Sequence, residues 1–302
     1  MTPDRLERFD PALPGAALSA ADLDTLRRAK HRLETPPLGM KLAAIVGAPV
    51  EKLIARLPGL ANDKVNEATQ AALRKCLQLA LKTLGKPGAL ALSGATSTAL
   101  SVDTTPADAK PNLKPSNLLH KFAVATTGAA GGAFGLFALP VELPVTTTLM
   151  FRSICDIARS EGEDLSGADT QLQCLTVFGM GGRSSADDEA DFGYFVVRGA
   201  LAQAVSKAST EMATKGFAAH GSTALLKLMQ TVAARFSVQV SEQVAAKSIP
   251  AIGAVLGAMV NTVFIDHFQQ VAHGHFTVRR LERRYGEAAV HAAYDAIDLT
   301  LD

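Results

Sequence analysis

The fold of this chain is decided by residues 122–164, FAVATTGAAGGAFGLFALPVELPVTTTLMFRSICDIARSEGED. The first twenty of these residues, 122–141, carry no charge and are rich in alanine and glycine. A second uncharged run of eighteen residues covers 248–265. As helices, runs of this length measure about 30 Å, the thickness of a bilayer core. The rest of the chain is interpreted around these two runs.

Pro140 and Pro144 follow the first run, and each lacks an N–H and disfavours helix at the residue before it. This pattern predicts a turn at 140–144 between a Gly-rich helix, 116–139, and a second helix, 145–160. We therefore expect a helical hairpin whose Gly-rich face receives the C-terminal run.

Composition favours an all-α protein. Aromatic residues make up 5% of the 302 residues, tryptophan is absent, and hydrophobic residues reach 48%. No alternating β-branched stretches flanked by hairpin turns occur. The predicted fold is a multi-helix bundle with a central Gly/Ala-rich helical hairpin packed on a C-terminal Gly-rich helix. Further helices are predicted at 19–35, 62–84, 168–178, 192–215, 218–248, 249–286 and 287–297. Residues 38–56 form a short apolar segment that is bent or broken at Pro49.

The chain is predicted to divide into three parts. Residues 1–84 form an N-terminal helical segment, which opens at Ser19 with Asp22 as capping partner. Residues 85–115 are rich in proline, serine and threonine and form a linker. Residues 116–302 form the main helical domain.

Both uncharged runs contain small residues four positions apart, a spacing that lets helices approach closely. These glycines are Gly128 with Gly132, Gly131 with Gly135, and Gly253 with Gly257. Three interpretations stay open: membrane-spanning helices, helices that lie on a membrane surface, and a buried pair inside a soluble bundle. Alanine and glycine insert into bilayers less readily than leucine, which weighs against spanning.

A candidate polar site lies at the predicted turn. Glu142 is the only charge between Lys121 and Arg152, and Arg152 and Asp156 share a helix face. With Asn261 from the facing run, these residues could bind a head group or perform acid–base chemistry. The alternative is a structural salt-bridge network, because structural ion pairs perturb carboxylates too.

A basic stripe near the C-terminus is the candidate for contact with anionic lipid, worth on the order of 1 kcal/mol per residue at a charged surface. It consists of Arg279, Arg280, Arg283 and Arg284, which share one helix face. The alternative is a solvated face paired with Glu282 and Glu287.

Other chemistry has little support in the sequence. The net charge of +1 provides no general attraction for nucleic acid. His267, His273 and His275 lack the spacing of a helical metal site, so neither a metal nor another cofactor is expected. Cys76, Cys155 and Cys174 lie in apolar helical patterns and indicate reduced, buried thiols. No secretory signal is expected at the N-terminus, which favours the cytoplasm.

Two segments, 128–165 and 249–286, resemble the core motifs of the EcsC family of bacterial proteins, and the resemblance covers about 118–286. It implies a cytosolic or membrane-associated helical protein. The family is named after a protein encoded beside an ABC-type transporter, and the resemblance implies no reaction. The positions that match its motif residues are Glu142, Arg152, Asp156, Gly162, Asp164, Asn261, Phe276 and Glu282.

We expect a non-enzymatic helical protein that associates peripherally with the inner face of the membrane and regulates a membrane process or a transporter. Its partners would be membrane lipid or a membrane protein. Two alternatives remain: a hydrolase acting on a lipid-like substrate at Glu142, Arg152 and Asp156, and a soluble scaffold or regulatory protein.

Overall fold

The computed structural model describes residues 16–34, 36–57, 60–83, 133–181, 193–215, 222–248 and 254–299. Ten helices and no strand lie in these ranges, which confirms the all-α class. The helices are α1 (Ala20–Glu34), α2 (Leu38–Val46), α3 (Val50–Ile54), α4 (Leu60–Thr83), α5 (Ala133–Ser160), α6 (Ala168–Met180), α7 (Tyr194–Lys215), α8 (Thr223–Lys247), α9 (Ala254–Tyr285) and α10 (Glu287–Ala296).

The turn predicted at 140–144 is wrong, because α5 runs through both Pro140 and Pro144. A proline costs an isolated helix about 3 kcal/mol or more, whereas each buried large apolar side chain contributes about 1.5–3 kcal/mol. Packing against α4 and α9 buries enough of α5 to outweigh the two prolines. Its buried large side chains are Leu139, Leu143, Met150, Phe151, Ile154 and Ile157. The predicted first arm of the hairpin, up to residue 132, lies outside the described residues.

The relative directions of helices α5, α8 and α9 follow from hydrogen bonds between them. Gln269 of α9 donates a hydrogen bond to Ser153 of α5 at 2.9 Å. Eight residues farther along in each segment, Thr277 of α9 donates to Glu161, the residue after α5, at 3.1 Å. The constant offset means that α5 and α9 run parallel and side by side. Helix α8 runs in the opposite direction and holds the core aromatic cluster against α6 and α9.

The aromatic cluster lies at the centre of the main core. The ring of Phe178 on α6 lies 4.9 Å from that of Phe236 on α8 and 5.5 Å from that of Phe268 on α9. Phe264 joins them at 5.2 Å from Phe268. Tilted and edge-on ring pairs at such distances are favourable beyond the area that they bury.

Helix α1 begins with the predicted cap, since the Ser19 hydroxyl accepts a hydrogen bond from the Asp22 backbone N–H at 3.1 Å. The helix packs on α9 and α10 in a second apolar cluster. Gly274 of α9 faces α1, and a Cβ added there would lie 2.6 Å from Leu33 Cγ. Glycine therefore sets the distance between α1 and α9.

Helices α2, α3 and α4 contribute buried side chains to the same core as α5 to α9. Helix α4 lies along α5 and α8. The predicted linker at 85–115 lies outside the described residues, so the division at that point stays a prediction.

Candidate functional site

The described parts of the two uncharged sequence runs, 133–141 and 254–265, lie at one end of the bundle. The first run leads into α5 and the second into α9, and these helices are parallel. Their N-terminal halves therefore lie at the same end, beside the C-terminus of the antiparallel α8. This convergence joins stretches that are more than 100 residues apart in sequence.

Large apolar side chains are exposed at this end. Val141 and Val145 of α5 are 55% and 40% exposed, and Met259 of α9 is 46% exposed. We call the surface around these three residues the apolar end. Val141 and Val145 are four residues apart and share one face of α5. Neighbouring exposed apolar side chains mark surfaces of interaction more often than scattered ones do.

One ion pair crosses the apolar end. The Lys247 ammonium, on the last turn of α8, lies 2.8 Å from the Glu142 carboxylate, and each side chain is 21% exposed. Nearby, Gln243 donates a hydrogen bond to the Asn261 side chain at 2.9 Å. Glu142 and Lys247 line a narrow cleft between α5 and α8, whose other lining residues are Leu139, Leu143, Thr146, Gln243, Val244 and Ser248.

The polar cluster expected from Glu142, Arg152 and Asp156 is not formed. All three lie on the continuous helix α5, so Arg152 and Asp156 are about 15 and 21 Å from Glu142 along the axis. Asp156 pairs with Arg159 at 3.2 Å, and the buried Arg152 Nε has no hydrogen-bond partner among the described residues. The cluster depended on the predicted turn, which α5 does not make.

The basic stripe lies toward the other end of α9, about 30 Å from Met259. Its arginines contact carboxylates of neighbouring elements. Arg279 and Arg283 pair with Glu163, and Arg280 pairs with Glu161 at 2.7 Å. The partners are therefore not the Glu282 and Glu287 that the sequence suggested.

The contacts with Arg279 and Arg283 lower the pKa of the buried Glu163 carboxyl. Burial pushes the pKa of Glu163 upward, but the hydrogen bond from Arg279 and the charges of both of its arginines hold that pKa below its ordinary value. At the end of the stripe, Arg284 lies 3.1 Å from the Asp22 carboxylate, which also accepts a hydrogen bond from Tyr285 at 2.6 Å. The stripe thus links α9 to the end of α5 and to α1.

The structure describes only some of the glycines that were predicted to allow close helix contact. Gly128, Gly131, Gly132 and Gly253 lie outside the described residues, and the side-chain surroundings of Gly135 are not described. At Gly257 no atom of the described residues lies within 4 Å of an added Cβ. Close helix contact through the Gly-xxx-Gly spacing therefore stays a prediction.

A buried polar network joins α7 and α9 and was missed from sequence. Arg198 pairs with Glu282 through its two terminal guanidinium nitrogens, Nη1 and Nη2, and the two side chains are 14% and 8% exposed. The Tyr194 hydroxyl lies 2.8 Å from His275 Nδ1. Burial, together with the charges of Arg198 and Arg279, holds the pKa of His275 well below its ordinary value. This network is enclosed in the second apolar cluster and positions the C-terminal helices.

The described ranges contain no group of three or more histidine, cysteine, aspartate or glutamate side chains that could hold a metal ion. His267 instead contacts the Gly181 carbonyl at the end of α6, and burial lowers its pKa to about 4. The three cysteines are free and buried, as predicted. Among the described helices none combines the length and the apolar character that crossing a membrane requires.

A model of the EcsC protein family matches residues 20–281 of the chain. The match begins in α1, upstream of the motifs quoted from the sequence, and ends within the basic stripe of α9. No curated protein and no solved structure matches the chain.

Proposed function

The chain belongs to the EcsC protein family, and for this member we propose a non-enzymatic role in which the apolar end associates peripherally with a membrane surface. In a bacterium this surface would be the inner face of the cytoplasmic membrane, where the protein would regulate a membrane process such as transport. The observation that supports the proposal is that the described parts of the two uncharged runs lie at one end of the bundle, where Val141, Val145 and Met259 are exposed.

Peripheral contact suits the apolar end better than insertion of the whole helices. Beyond the apolar end, α5 and α9 continue into a buried aromatic core and an ion-paired region that belong to the bundle. The proposal therefore confines contact to the N-terminal halves of the two helices. Apolar groups in such a position enter the headgroup region and the outer acyl region of a bilayer.

The proposed contact does not include the basic stripe. It lies about 30 Å away along α9, and its arginines pair with Glu161, Glu163 and Asp22. The hydrolase alternative loses its support as well, because α5 keeps Glu142, Arg152 and Asp156 apart.

Vesicle flotation with a matched pair of variants tests the proposal. The variant Val141→Ser/Met259→Ser removes two half-exposed apolar side chains from the apolar end. The control Val196→Ser/Leu226→Ser removes side chains that are 53% and 51% exposed on the first turns of α7 and α8. Burying what remains exposed of two such side chains is worth about 1–2 kcal/mol.

The apolar-end variant should therefore float about tenfold less than the wild type at equal lipid. The control should float as the wild type does. A wild type that stays at the bottom of the gradient with every vesicle, or a control that loses as much binding as the apolar-end variant, would contradict the proposal.

A further inference from the structure

We propose that a second cleft, between α7 and α8, binds a small soluble phosphate ester whose phosphate group lies between Lys207 and Lys227. The inference does not depend on the proposed function, since this cleft lies at the end of α8 opposite the apolar end. Lys227 and Lys247 are twenty residues apart on this helix, which places them about 30 Å apart along its axis.

The position of the two lysines follows from the contacts between α7 and α8. Toward the C-terminal end of α7, the Glu211 carboxylate accepts a hydrogen bond from the Ser222 hydroxyl and lies 3.4 Å from the Ala224 backbone nitrogen. Lys207 precedes Glu211 by about one helical turn on α7, and Lys227 lies about one turn after this contact on α8. Both lysines therefore line the same cleft, one from each helix.

The cleft has room for a ligand. Its volume is about 440 Å³, which lies within the range of about 300–1,000 Å³ that is typical of small-molecule sites. Apart from the two lysines, the described lining residues are Ala204, Ser206, Thr210, Glu211, Thr223 and Ala224. Four of these six carry polar side chains, which suits a small hydrophilic ligand.

The two lysines have no opposite charge beside them. Among the described residues, no carboxylate lies within 4.0 Å of the ammonium group of Lys207 or Lys227. Both side chains are exposed, so a ligand can reach them. Two ammonium groups on neighbouring helices repel each other, and a dianionic phosphate between them turns this repulsion into two attractions. Lysine binds phosphate as a point charge, and the hydroxyls of Ser206 and Thr223 line the same cleft.

The Glu211 carboxylate limits the charge of the ligand. It contacts the Ser222 hydroxyl and the Ala224 N–H, so these groups of the first turn of α8 are occupied and binding depends on the lysines. A second phosphate group in the cleft would approach Glu211, and like charges that face each other cost affinity. The cleft therefore favours a monoester with hydroxyl groups over a diphosphate.

Calorimetric titration with glycerol 3-phosphate in a phosphate-free buffer tests the inference, with glycerol as the uncharged control compound. The wild type should bind glycerol 3-phosphate with a Kd of about 1 mM or lower and should not bind glycerol. Lys207→Gln and Lys227→Gln should each weaken binding about fivefold, and the double variant Lys207→Gln/Lys227→Gln should abolish it. Lys227→Arg keeps the positive charge and should bind within about twofold of the wild type.

Two other exposed lysines provide a control with the same change in net charge. Lys75 and Lys82 lie on α4 and do not line the cleft. The control Lys75→Gln/Lys82→Gln should bind glycerol 3-phosphate as the wild type does. Substitutions of exposed side chains change stability little, so equal urea midpoints should accompany all of these variants.

The outcomes distinguish the possible explanations. Equal loss of binding in the cleft variant and in the α4 control would show a general effect of charge and overturn the inference. Absence of binding to the wild type at about 10 mM glycerol 3-phosphate would overturn a soluble ester as the ligand. Vesicles of phosphatidylcholine with phosphatidic acid carry the same phosphate monoester on a lipid. Flotation with them that only the cleft variant loses would assign the cleft to a lipid instead.

The proposed contact of the apolar end is tested separately. With vesicles of phosphatidylcholine alone, Lys207→Gln/Lys227→Gln should float as the wild type does, because the cleft lies about 30 Å from Lys247 along α8. Loss of flotation in this variant would contradict the separation of the cleft from the apolar end.

Discussion

Replacing Glu242 with glutamine is expected to stabilise the folded protein above neutral pH and to have little effect in acid. Glu242 lies on α8 against the first turn of α2, where its Oε1 would be 3.1 Å from a Cβ added at Gly39. Burial and the charge of Glu51 on α3 raise the pKa of Glu242 to about 7. The folded structure therefore favours the protonated carboxyl.

The sign and size follow from the two pKa values. The unfolded chain releases this proton near the ordinary value of 4.5, whereas the folded chain keeps it until about 7. Between these values the native state binds more protons, so stability falls as pH rises through this window. The full difference corresponds to about 3 kcal/mol, which partial exposure reduces to about 1–3 kcal/mol.

Urea unfolding of the wild type and Glu242→Gln at about pH 4 and pH 8.5 measures the effect. The variant should be more stable by about 1–3 kcal/mol at the higher pH and within about 0.5 kcal/mol of the wild type at the lower. Glu51→Gln should reproduce part of the gain, and the exposed Glu67→Gln should not. Equal stability changes at both pH values would refute the reasoning.

Three further predictions concern packing and burial. Gly274→Ala should destabilise the protein by about 1 kcal/mol and increase hydrogen exchange in α1, because the new methyl group meets Leu33. Gly199→Ala, which adds a methyl group in open space on α7, should instead stabilise the protein by about 0.5–1 kcal/mol. Glu163→Gln should cost about 3 kcal/mol in urea unfolding, since it leaves Arg279 partly buried without its carboxylate; an unchanged midpoint would show that the pair is dispensable. Burial raises the pKa of the Cys76 thiol to about 12 and raises the pKa of Cys174 well above its ordinary value. Ellman's reagent should therefore react with the three cysteines only in denaturant. Reaction with the native protein would contradict their burial.

The class of fold and most helix ends could be predicted from local sequence. Ser19 with Asp22 marks the start of α1, and glycine ends several helices, as Gly162 and Gly286 do with positive φ. These signals are local, because the capping group and the backbone that it satisfies lie within one turn.

Two prolines misled the prediction because their effect depends on tertiary packing. Local rules predict a turn at Pro140 and Pro144, but the apolar face of α5 is buried from Leu139 to Ala158 and keeps the helix continuous. One error then produced another, since the cluster of Glu142, Arg152 and Asp156 required the turn.

The partners of the charged residues could not be predicted from one sequence. Lys247 meets Glu142 across 105 residues, and Arg280 meets Glu161 across 119. The sequence around the basic stripe does not distinguish arginines that pair with carboxylates from arginines that are free to bind lipid. Their partners lie more than 100 residues away along the chain. The two uncharged runs can be found in the sequence. That their described parts lie at one end of the bundle follows from the parallel packing of α5 and α9 in the structure.

The central claim, that the apolar end meets the membrane, is tested most directly by site-specific fluorescence. Because the three cysteines are buried, an introduced exposed thiol can be labelled alone with a polarity-sensitive dye. Val141→Cys reports on the apolar end and Val196→Cys, of nearly equal exposure at 55% and 53%, on the first turn of α7. The account predicts that vesicles shift the emission to the blue at position 141 and leave it unchanged at position 196. Unchanged emission at 141, or an equal shift at both positions, would contradict it.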